Sequence, residues 1–307
     1  MNMALPDKYD ITVQICSHNR CDVLKIVMES LIDQTLNPER FELVLVDDGS
    51  TDGTGTMVQN LEVPYHVTYL RHERNAGLAT ARNTGMKAAQ GKVILIIDDD
   101  VIADPRLLEE HWRIHQQHDK CVCNGWVNHV TEPRRPVKPR FTKADISTSF
   151  FWTSNVSVKR RDLFAAGLFD EDFKEYGWED QEMGLRLMAL GVTKHNNKKA
   201  IGFHVKRAPR RCDLERICRQ AQAQGRTAVQ YIHKHDRPRT RLATGIHPAR
   251  LAIYKFTKLF NWLESLCMHR LFRPNLSDTE YLTGFDAWCV NQLRILYYFG
   301  EIESLRK

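Results

Sequence analysis

Short apolar segments alternate with helical patterns through the first third of the chain. The apolar segments lie at residues 11–17 (ITVQICS), 41–50 (FELVLVDDGS), 66–72 (HVTYLRH) and 93–97 (VILII). The helical patterns lie at residues 21–34, in a segment ending at Asn60, and at residues 78–90. Strands that alternate with helices predict an α/β fold with a parallel sheet. The last apolar run has no polar alternation, which is typical of a strand covered on both faces.

The pattern continues less regularly through the middle of the chain. We predict a helix from Asp104-Pro105 to about His118, and a later helix that begins near Arg161. Further strands are predicted at residues 121–130 and 150–158, and a further helix at residues 181–190, ended by Gly191. Residues 131–140 contain three prolines and four Lys or Arg residues, so they are predicted to form a loop.

The last third of the chain is predicted to be helical. Polar helical spacing covers residues 213–233, and apolar-rich helices are predicted at residues 251–271 and 279–305. Lys255, Lys258 and Arg270 flank many apolar residues in the first of these apolar helices. Two interpretations stay open: this helix packs on the rest of the protein, or it lies on a membrane surface.

Charge is distributed unevenly along the 307 residues. Residues 205–307 contain 19 Lys and Arg against 9 Asp and Glu, whereas the first 204 contain 25 against 29. The net charge of +6 therefore comes from the last third. This asymmetry indicates either an anionic partner or simply a solvated basic face. The basic residues match no recognisable nucleic-acid-binding module, so no nucleic-acid partner is expected.

The cysteines and the first residues indicate the cellular compartment of the protein. The eight cysteines have no disulfide-framework spacing, and we interpret them as reduced thiols. The start, MNMALPDKYD, lacks the features of a signal peptide, and no run reaches the roughly 18 apolar residues that span a bilayer. We expect a cytoplasmic protein that can associate with the inner face of the membrane.

Polar side chains follow three of the predicted strands. They are Ser17 and Asn19 after the first, Asp47 and Asp48 after the second, and Asp98, Asp99 and Asp100 after the strand at 93–97. Open α/β sheets bind ligands at the carboxyl ends of their strands. Three neighbouring aspartates repel one another unless a cation joins them, and hard oxygen ligands favour Mg²⁺ or Mn²⁺ bridged to substrate phosphates. The sequence predicts a divalent ion and a diphosphate ligand, with a solvated acidic turn as the alternative.

Four motifs in order resemble family 2 glycosyltransferases of the GT-A fold. They are the opening strand with Ser17, VDDGSTDGT (46–54), NAGLATARNTGMKAAQGKVILIIDDDV (75–101) and GWEDQEMGLRL (177–187). The resemblance covers about residues 9–206. It implies a GT-A type, Rossmann-like, mostly parallel sheet flanked by helices, and an inverting transfer of a sugar from a nucleotide diphosphate sugar, with UDP the expected nucleotide.

The resemblance also implies which residues bind the donor. Asp48, with Asp47, would contact the nucleoside, and Ser17 and Asn19 would line the same pocket. Asn75, Gly77 and Arg82 would approach the nucleoside and diphosphate, with an ordinary surface arginine as the alternative for Arg82. The resemblance assigns the remaining donor contacts to Asp98 and Asp99, in the segment Asp98-Asp99-Asp100 that matches the family's DXD motif.

Metal ligands and acceptor residues follow from the same resemblance. Asp100 and Asp98 would bind Mn²⁺ or Mg²⁺, and His204 would be a third ligand, with His195 as its competitor. Asp180 would take the proton from the acceptor hydroxyl, while Glu179 holds the acceptor and Trp178 stacks on a sugar ring. The alternative for these carboxylates is a favourable place in the first turn of a helix.

The sequence therefore predicts a catalytic domain at residues 1–206 and a basic helical region at 207–307 that contacts acceptor or membrane. The acceptor is expected to be a saccharide or a lipid-linked molecule in polysaccharide, glycolipid or glycoconjugate synthesis, selected by loops such as residues 131–146. Without a long apolar segment, addition of one or a few sugars is expected rather than processive synthesis. The alternatives are a nucleotidyltransferase, which would need a glycine-rich phosphate loop after the first strand, and a noncatalytic scaffold.

Overall fold

A computed structural model describes residues 7–139, 141–142, 145, 148–259, 261–274 and 276–305. The chain divides into two compact units. Unit 1 comprises Met1–Lys174 and Glu179–Lys206, and unit 2 comprises Glu175–Trp178 and Arg207–Lys307. The roles assigned from the sequence to residues 1–206 and 207–307 stay predictions. Part of the predicted acceptor loop at 131–146 lies outside the described residues.

Unit 1 contains eight strands and six α-helices among its described residues. The strands are β1 (Tyr9–Ser17), β2 (Phe41–Asp47), β3 (His66–Arg71), β4 (Gly91–Ile97), β5 (Val101–Ala103), β6 (Cys121–Val130), β7 (Asn155–Lys159) and β8 (Thr193–Val205). The helices are α1 (Cys21–Glu29), α2 (Thr54–Asn60), α3 (Leu78–Ala88), α4 (Leu107–Gln117), α5 (Arg160–Ala165) and α6 (Glu179–Ala189).

The strands form one mixed sheet in the order β3-β2-β1-β4-β7-β6-β8-β5. The pairs among β1, β2, β3 and β4 are parallel, and so is β6 with β8. The predicted α/β fold, a mostly parallel sheet flanked by helices, is confirmed, and the sheet also has antiparallel members. Strand β7 runs antiparallel to β4 and β6, and β5 runs antiparallel to β8.

Strand β4 is buried because helices cover both faces of the sheet. Its alternate residues Val93, Leu95 and Ile97 join a core cluster that includes residues of α1 and α4. Ile94 and Ile96 point into a second cluster with residues of α3 and α6. The unbroken apolar run therefore has the predicted cause, and it ends where the three aspartates begin.

Unit 2 is helical, as its sequence predicts. Its helices are α7 (Leu214–Lys234), α8 (Pro238–Thr244), α9 (Pro248–Leu259), α10 (Trp262–Leu271) and α11 (Gly284–Ser304). The single helix predicted at 251–271 is wrong, because the chain divides there into α9 and α10. Asn261, directly before α10, has φ of +46°, a left-handed conformation that asparagine tolerates better than most residues. Among the described helices, none is both long and apolar enough to cross a membrane.

Candidate functional site

The three aspartates lie between β4 and β5 and are held by neighbouring side chains. Ser17 Oγ, at the end of β1, donates to Asp99 Oδ2 at 2.7 Å. Ser154 Oγ, directly before β7, donates to Asp98 Oδ2 at 2.6 Å. The sheet order places β1 and β7 on either side of β4, so both neighbouring strands supply a hydroxyl to the acidic group.

Arg20 is the cation that faces this group. Its Nη1 lies 2.9 Å from Asp99 Oδ1 and 2.6 Å from Asp100 Oδ2, while its side chain is 47% exposed. Burial raises the pKa of Asp99 to about 6, against the lowering effects of Arg20 and the Ser17 hydrogen bond. Arg20 therefore offsets the burial of Asp99 only in part.

His204 stands beside Asp100, as the resemblance implies. Antiparallel pairing sets Val101 of β5 opposite His204 of β8, and His204 Nε2 lies 3.1 Å from Asp100 Oδ1. Burial tends to raise the pKa of Asp100, but the close approach and charge of His204, and then Arg20, bring it below its ordinary value. The competitor His195 is at the other end of β8 and stacks on His118, with ring centroids 3.9 Å apart.

The acids after β2 are bound to neighbouring loops. Asp47 accepts from the Ser50 backbone N–H at 2.7 Å and from Tyr69 Oη at 2.6 Å. Asp48 accepts from the backbone N–H groups of Ala76 and Gly77, at 2.9 and 3.1 Å. Both carboxylates therefore fix loops at the sheet edge, and their nucleoside contacts stay a prediction.

Asn19, Asn75 and Gly77 shape the same edge. Asn19, at φ of +54°, accepts from the Thr51 N–H through Oδ1, which joins the loops after β1 and β2. Asn75 Oδ1 accepts from the Gly77 N–H at 3.2 Å. Gly77 has φ of +92°, and a Cβ there would lie 3.0 Å from the Lys174 carbonyl oxygen. Only glycine fits this turn into α3 without strain.

Arg82 is buried, which excludes the surface interpretation of this residue. Its side chain is 3% exposed, and Nη1 donates to Glu179 Oε1 at 2.8 Å. Its other terminal nitrogen donates to Thr153 Oγ1 at 2.7 Å and lies 4.0 Å from Asp98 Oδ1. Arg82 thus connects the acidic group after β4 with the start of α6.

Asp180 follows Glu179 in the first turn of α6. Burial, and then the charge of Glu179, raise the pKa of Asp180 above its ordinary value, although Arg82 opposes the shift. Such a carboxyl is a stronger base than an ordinary aspartate once it has ionised. Trp178 belongs to unit 2, where its Nε1 donates to the Gln224 carbonyl at 3.1 Å and its ring stacks on Tyr231; its contact with a sugar stays a prediction.

Comparison with known proteins decides the family. The family model described as glycosyl transferase family 2 matches residues 12–169, about half of the chain. The chain belongs to this family. The matched range includes the three aspartates, Arg82 and the loops after β1 and β2, whereas Glu179, Asp180 and His204 lie beyond it.

Similar proteins support the same assignment. Validoxylamine A glucosyltransferase from Streptomyces hygroscopicus subsp. limoneus is 30% identical over 230 residues, 63% of this chain and 51% of that protein. The chain thus spans about half the length of this relative. The mannosyltransferase PcManGT from Pyrobaculum calidifontis, solved with GDP-Man and Mn²⁺, has a TM-score of 0.62 at 15% identity, covering 100% of this chain and 91% of that chain.

A second solved structure has the same fold. Residues 1–349 of TarS from S. aureus, in complex with UDP, match with a TM-score of 0.53 at 17% identity, covering 96% of this chain and 91% of that chain. Identities this low support the fold alone. Both solved relatives hold a nucleotide ligand, and one holds Mn²⁺.

The donor atoms of the family 2 chain fit a divalent ion. Asp98 and Asp100 offer carboxylate oxygens and His204 an imidazole, all of which Mn²⁺ accepts. Asp100 Oδ1 is buried and receives no well-directed hydrogen bond from the described residues. Across the described part of the chain, however, no three His, Cys, Asp or Glu side chains are grouped to hold a metal by themselves. A metal here would need ligands from substrate phosphate, as is usual for Mg²⁺.

Three neighbours of the acidic group were not predicted from the sequence. Arg20 follows the polar end of β1. Its position in the sequence, next to Asn19, could have indicated that it lies near the other strand-end residues. Ser154 precedes a strand that was predicted too early, at 150–158. His129 lies opposite His204 in the β6–β8 pairing, with ring centroids 5.2 Å apart; only the strand register could have indicated it.

Proposed function

We propose that this family 2 chain transfers a hexose or N-acetylhexosamine from a UDP-sugar to a hydroxyl group of a saccharide or lipid-linked acceptor. The observation that carries the proposal is the acidic group after β4, with His204 beside Asp100 and Arg82 between Asp98 and Glu179. Buried acids with only partial compensation are expected where a cation and a diphosphate bind. The chemistry would contribute to polysaccharide, glycolipid or glycoconjugate synthesis in the cytoplasm.

The donor would bind at the carboxyl ends of β1, β2 and β4. Ser17, Asn19, Asp47 and Asp48 would surround the nucleoside, and Asn75, Gly77 and Asp99 would line its approach to the diphosphate. Arg82 offers a planar cation close to Asp98, and a guanidinium makes charge-assisted hydrogen bonds to phosphate oxygens. Its partnership with Glu179 holds it in a single orientation.

Asp98, Asp100 and His204 would hold Mn²⁺ or Mg²⁺ together with the donor phosphates. A bound divalent ion would offset the negative charge that develops on the leaving diphosphate. The half-exposed Arg20 contacts Asp99 and Asp100. It therefore provides positive charge at the same edge of the sheet.

Asp180 would act as the general base. It would accept the proton of the acceptor hydroxyl as that oxygen attacks the anomeric carbon on the side opposite the diphosphate, which inverts the configuration. Its raised pKa, caused by burial and Glu179, suits a base that works near neutral pH. Glu179 would position the acceptor, and Trp178 would offer an aromatic ring to a sugar.

Calorimetric binding of UDP, GDP and dTDP tests the donor site. Each nucleotide is titrated with Mn²⁺ and, separately, with EDTA, into the wild type, Asp100→Ala and a control. The control is Asp10→Ala, because Asp10 pairs with Arg40 at the start of β1, at the opposite end of that strand from Ser17. We expect Mn²⁺-dependent binding of UDP that weakens at least about tenfold in Asp100→Ala, since charge-assisted contacts are lost, and is unchanged in Asp10→Ala.

Failure of every nucleotide to bind the folded wild type would reject the proposed donor site and favour the scaffold alternative. Binding of GDP or dTDP in place of UDP would keep the transferase and correct the donor. Equal binding by Asp100→Ala and the wild type would remove Asp100 from the metal site.

A further inference from the structure

Large apolar side chains are exposed on consecutive helices of unit 2. Ile253 and Leu259 of α9 are 64% and 76% exposed, and Trp262, the first residue of α10, is 54% exposed. Phe256 and Leu266 are also exposed, at 65% and 40%. We call these five residues the α9–α10 surface. Monomeric proteins rarely expose so many large apolar side chains close together in sequence.

Helix geometry places these residues away from the core of unit 2. Residues three or four apart share one face of a helix, so Ile253, Phe256 and Leu259 lie along one side of α9. Tyr254, on another side of the helix, is 5% exposed and packs in the core cluster of unit 2. In α10, Trp262 and Leu266 share a face in the same way, while Leu263 and Cys267 are buried. Both helices therefore carry a second apolar face in addition to the buried one.

Basic side chains lie beside the α9–α10 surface. Arg250 and Lys255 are exposed residues of α9. Arg250 precedes Ile253 by three residues and Lys255 precedes Leu259 by four, so both lie along the exposed apolar face. Lys255 Nζ is also 3.7 Å from Glu303. Cations that flank an exposed apolar face are typical of helices that lie in the interface of an anionic membrane.

A pocket beside the same helix is also basic. It has a volume of about 290 Å³ and is lined in part by Arg241, His247, Leu251 and Lys255. Arg241 is bound to Asp236, with Nε 2.6 Å from Oδ1, and Lys255 lies near Glu303, so both of these cations already have an acidic neighbour.

We propose that unit 2 docks on an anionic phospholipid membrane through the α9–α10 surface, with Trp262 and the aliphatic side chains in the interface and the basic residues at the headgroups. The excess of 19 Lys and Arg over 9 Asp and Glu in residues 205–307 matches a negative surface. A second copy of the chain is a poorer occupant, because a symmetric contact would bring the same basic residues against themselves. The proposal goes beyond sugar transfer and does not depend on it.

Vesicle sedimentation tests the proposal without any sugar substrate. The full chain is mixed with vesicles of pure phosphatidylcholine, or of phosphatidylcholine with about one third phosphatidylserine, at low and high NaCl. We expect binding to the anionic vesicles alone, weakened by salt because screening shortens the reach of surface charges. The double variant Ile253→Asp/Leu259→Asp should bind at least about a hundredfold more weakly, since two apolar side chains leave the interface. Arg250→Gln should lose about fivefold.

The matched control is Phe164→Asp, which changes a 46% exposed apolar residue of α5 in unit 1 and should bind like the wild type. All substituted side chains are exposed, so the variants should keep the far-ultraviolet circular dichroism of the wild type. Three results would overturn the proposal: no binding to anionic vesicles, equal binding by the double variant, or equal binding to pure phosphatidylcholine. Self-association of the wild type that the double variant abolishes would assign the surface to a second copy instead.

Discussion

The two units depart from the ordinary burial of side chains in opposite ways. Unit 1 buries charged groups, such as Asp47, Asp99 and Arg82, and pairs them with one another or with backbone donors. Unit 2 exposes apolar groups: among the described residues, 14 of the 18 exposed large hydrophobic side chains belong to unit 2. Each arrangement costs folding free energy when considered alone.

This difference indicates two kinds of binding. A buried carboxyl that is only partly compensated, such as Asp99, is typical of a site that binds a small charged ligand. Exposed apolar side chains flanked by cations are explained by an extended apolar and anionic surface. Each unit thus departs from ordinary packing where it is proposed to bind. Substitutions that affect binding, catalysis and stability separately test this comparison.

The largest expected effect is on catalysis at Asp180. Asp180→Asn should lower kcat about 10²- to 10⁴-fold, the usual contribution of a general base, and leave UDP affinity within about twofold because donor contacts lie elsewhere. In the wild type, kcat/KM should fall with acid at a pH above the ordinary pKa of aspartate, since burial and Glu179 raise the pKa of Asp180 and only its ionised form accepts the proton. Steady-state kinetics across pH measure both.

Asp172→Asn is the control for Asp180, because it removes an exposed carboxylate from the chain shortly before α6. Its kinetics should match those of the wild type. If Asp180→Asn retained wild-type kcat, the base would lie elsewhere, and the buried carboxyl would owe its raised pKa to structure alone.

The next effect is on stability at the buried pair Arg82–Glu179. Arg82→Met should lower the free energy of unfolding by about 3–5 kcal/mol, because it leaves a buried carboxylate without its cation. The double variant Arg82→Met/Glu179→Gln should regain much of that loss. Urea unfolding at pH 7 measures both, and exposed Arg161→Met is a control expected to change stability far less. A double variant as unstable as the single one would contradict a stability role for the pair.

The sequence predicted the sheet edge better than the connections made across it. The strands β1, β2 and β4 follow from local apolar runs, and their polar ends follow from the residues printed after them. The pairing of Arg82 with Glu179 joins positions 97 residues apart, and no local pattern contains that information. The same is true of Ser154 with Asp98, which depends on an antiparallel neighbour of β4.

Unit 2 shows a different limit. Its helical content followed from composition and spacing, but residues 251–271 were predicted as one helix because their apolar spacing hardly changes. Asn261, directly before α10, has a left-handed conformation, which costs an asparagine little and leaves no periodic signal in the sequence. Whether this segment packs on the rest of the protein or lies on a membrane surface was likewise open, because periodicity indicates faces and not their partners.

Unit 1 also buries a polar cluster away from the acidic group. The cluster has no role in the proposed function, so it shows the effect of burial alone. His111 contacts Ser157 Oγ through Nδ1 and Asn155 Oδ1 through Nε2, both at 2.8 Å. His115 Nε2 lies 2.7 Å from the same hydroxyl. Burial lowers the pKa of His111 to about 4 and, with the charge of His111, that of His115 to about 3. Both imidazoles are therefore neutral in the folded chain near neutral pH.

This cluster should make unit 1 sensitive to acid. In the unfolded chain histidine has a pKa of about 6.5, so below that pH the unfolded state binds protons that the folded state does not, and stability falls. Each histidine should cost about 2 kcal/mol between pH 7 and pH 5. The advantage of the wild type over His115→Gln in urea unfolding should therefore shrink by about that amount over this range. A constant difference for His115→Gln would mean that His115 titrates in the folded chain as it does in water. The contrast between a buried polar interior in unit 1 and exposed apolar side chains in unit 2 would then lose its clearest case outside the proposed site.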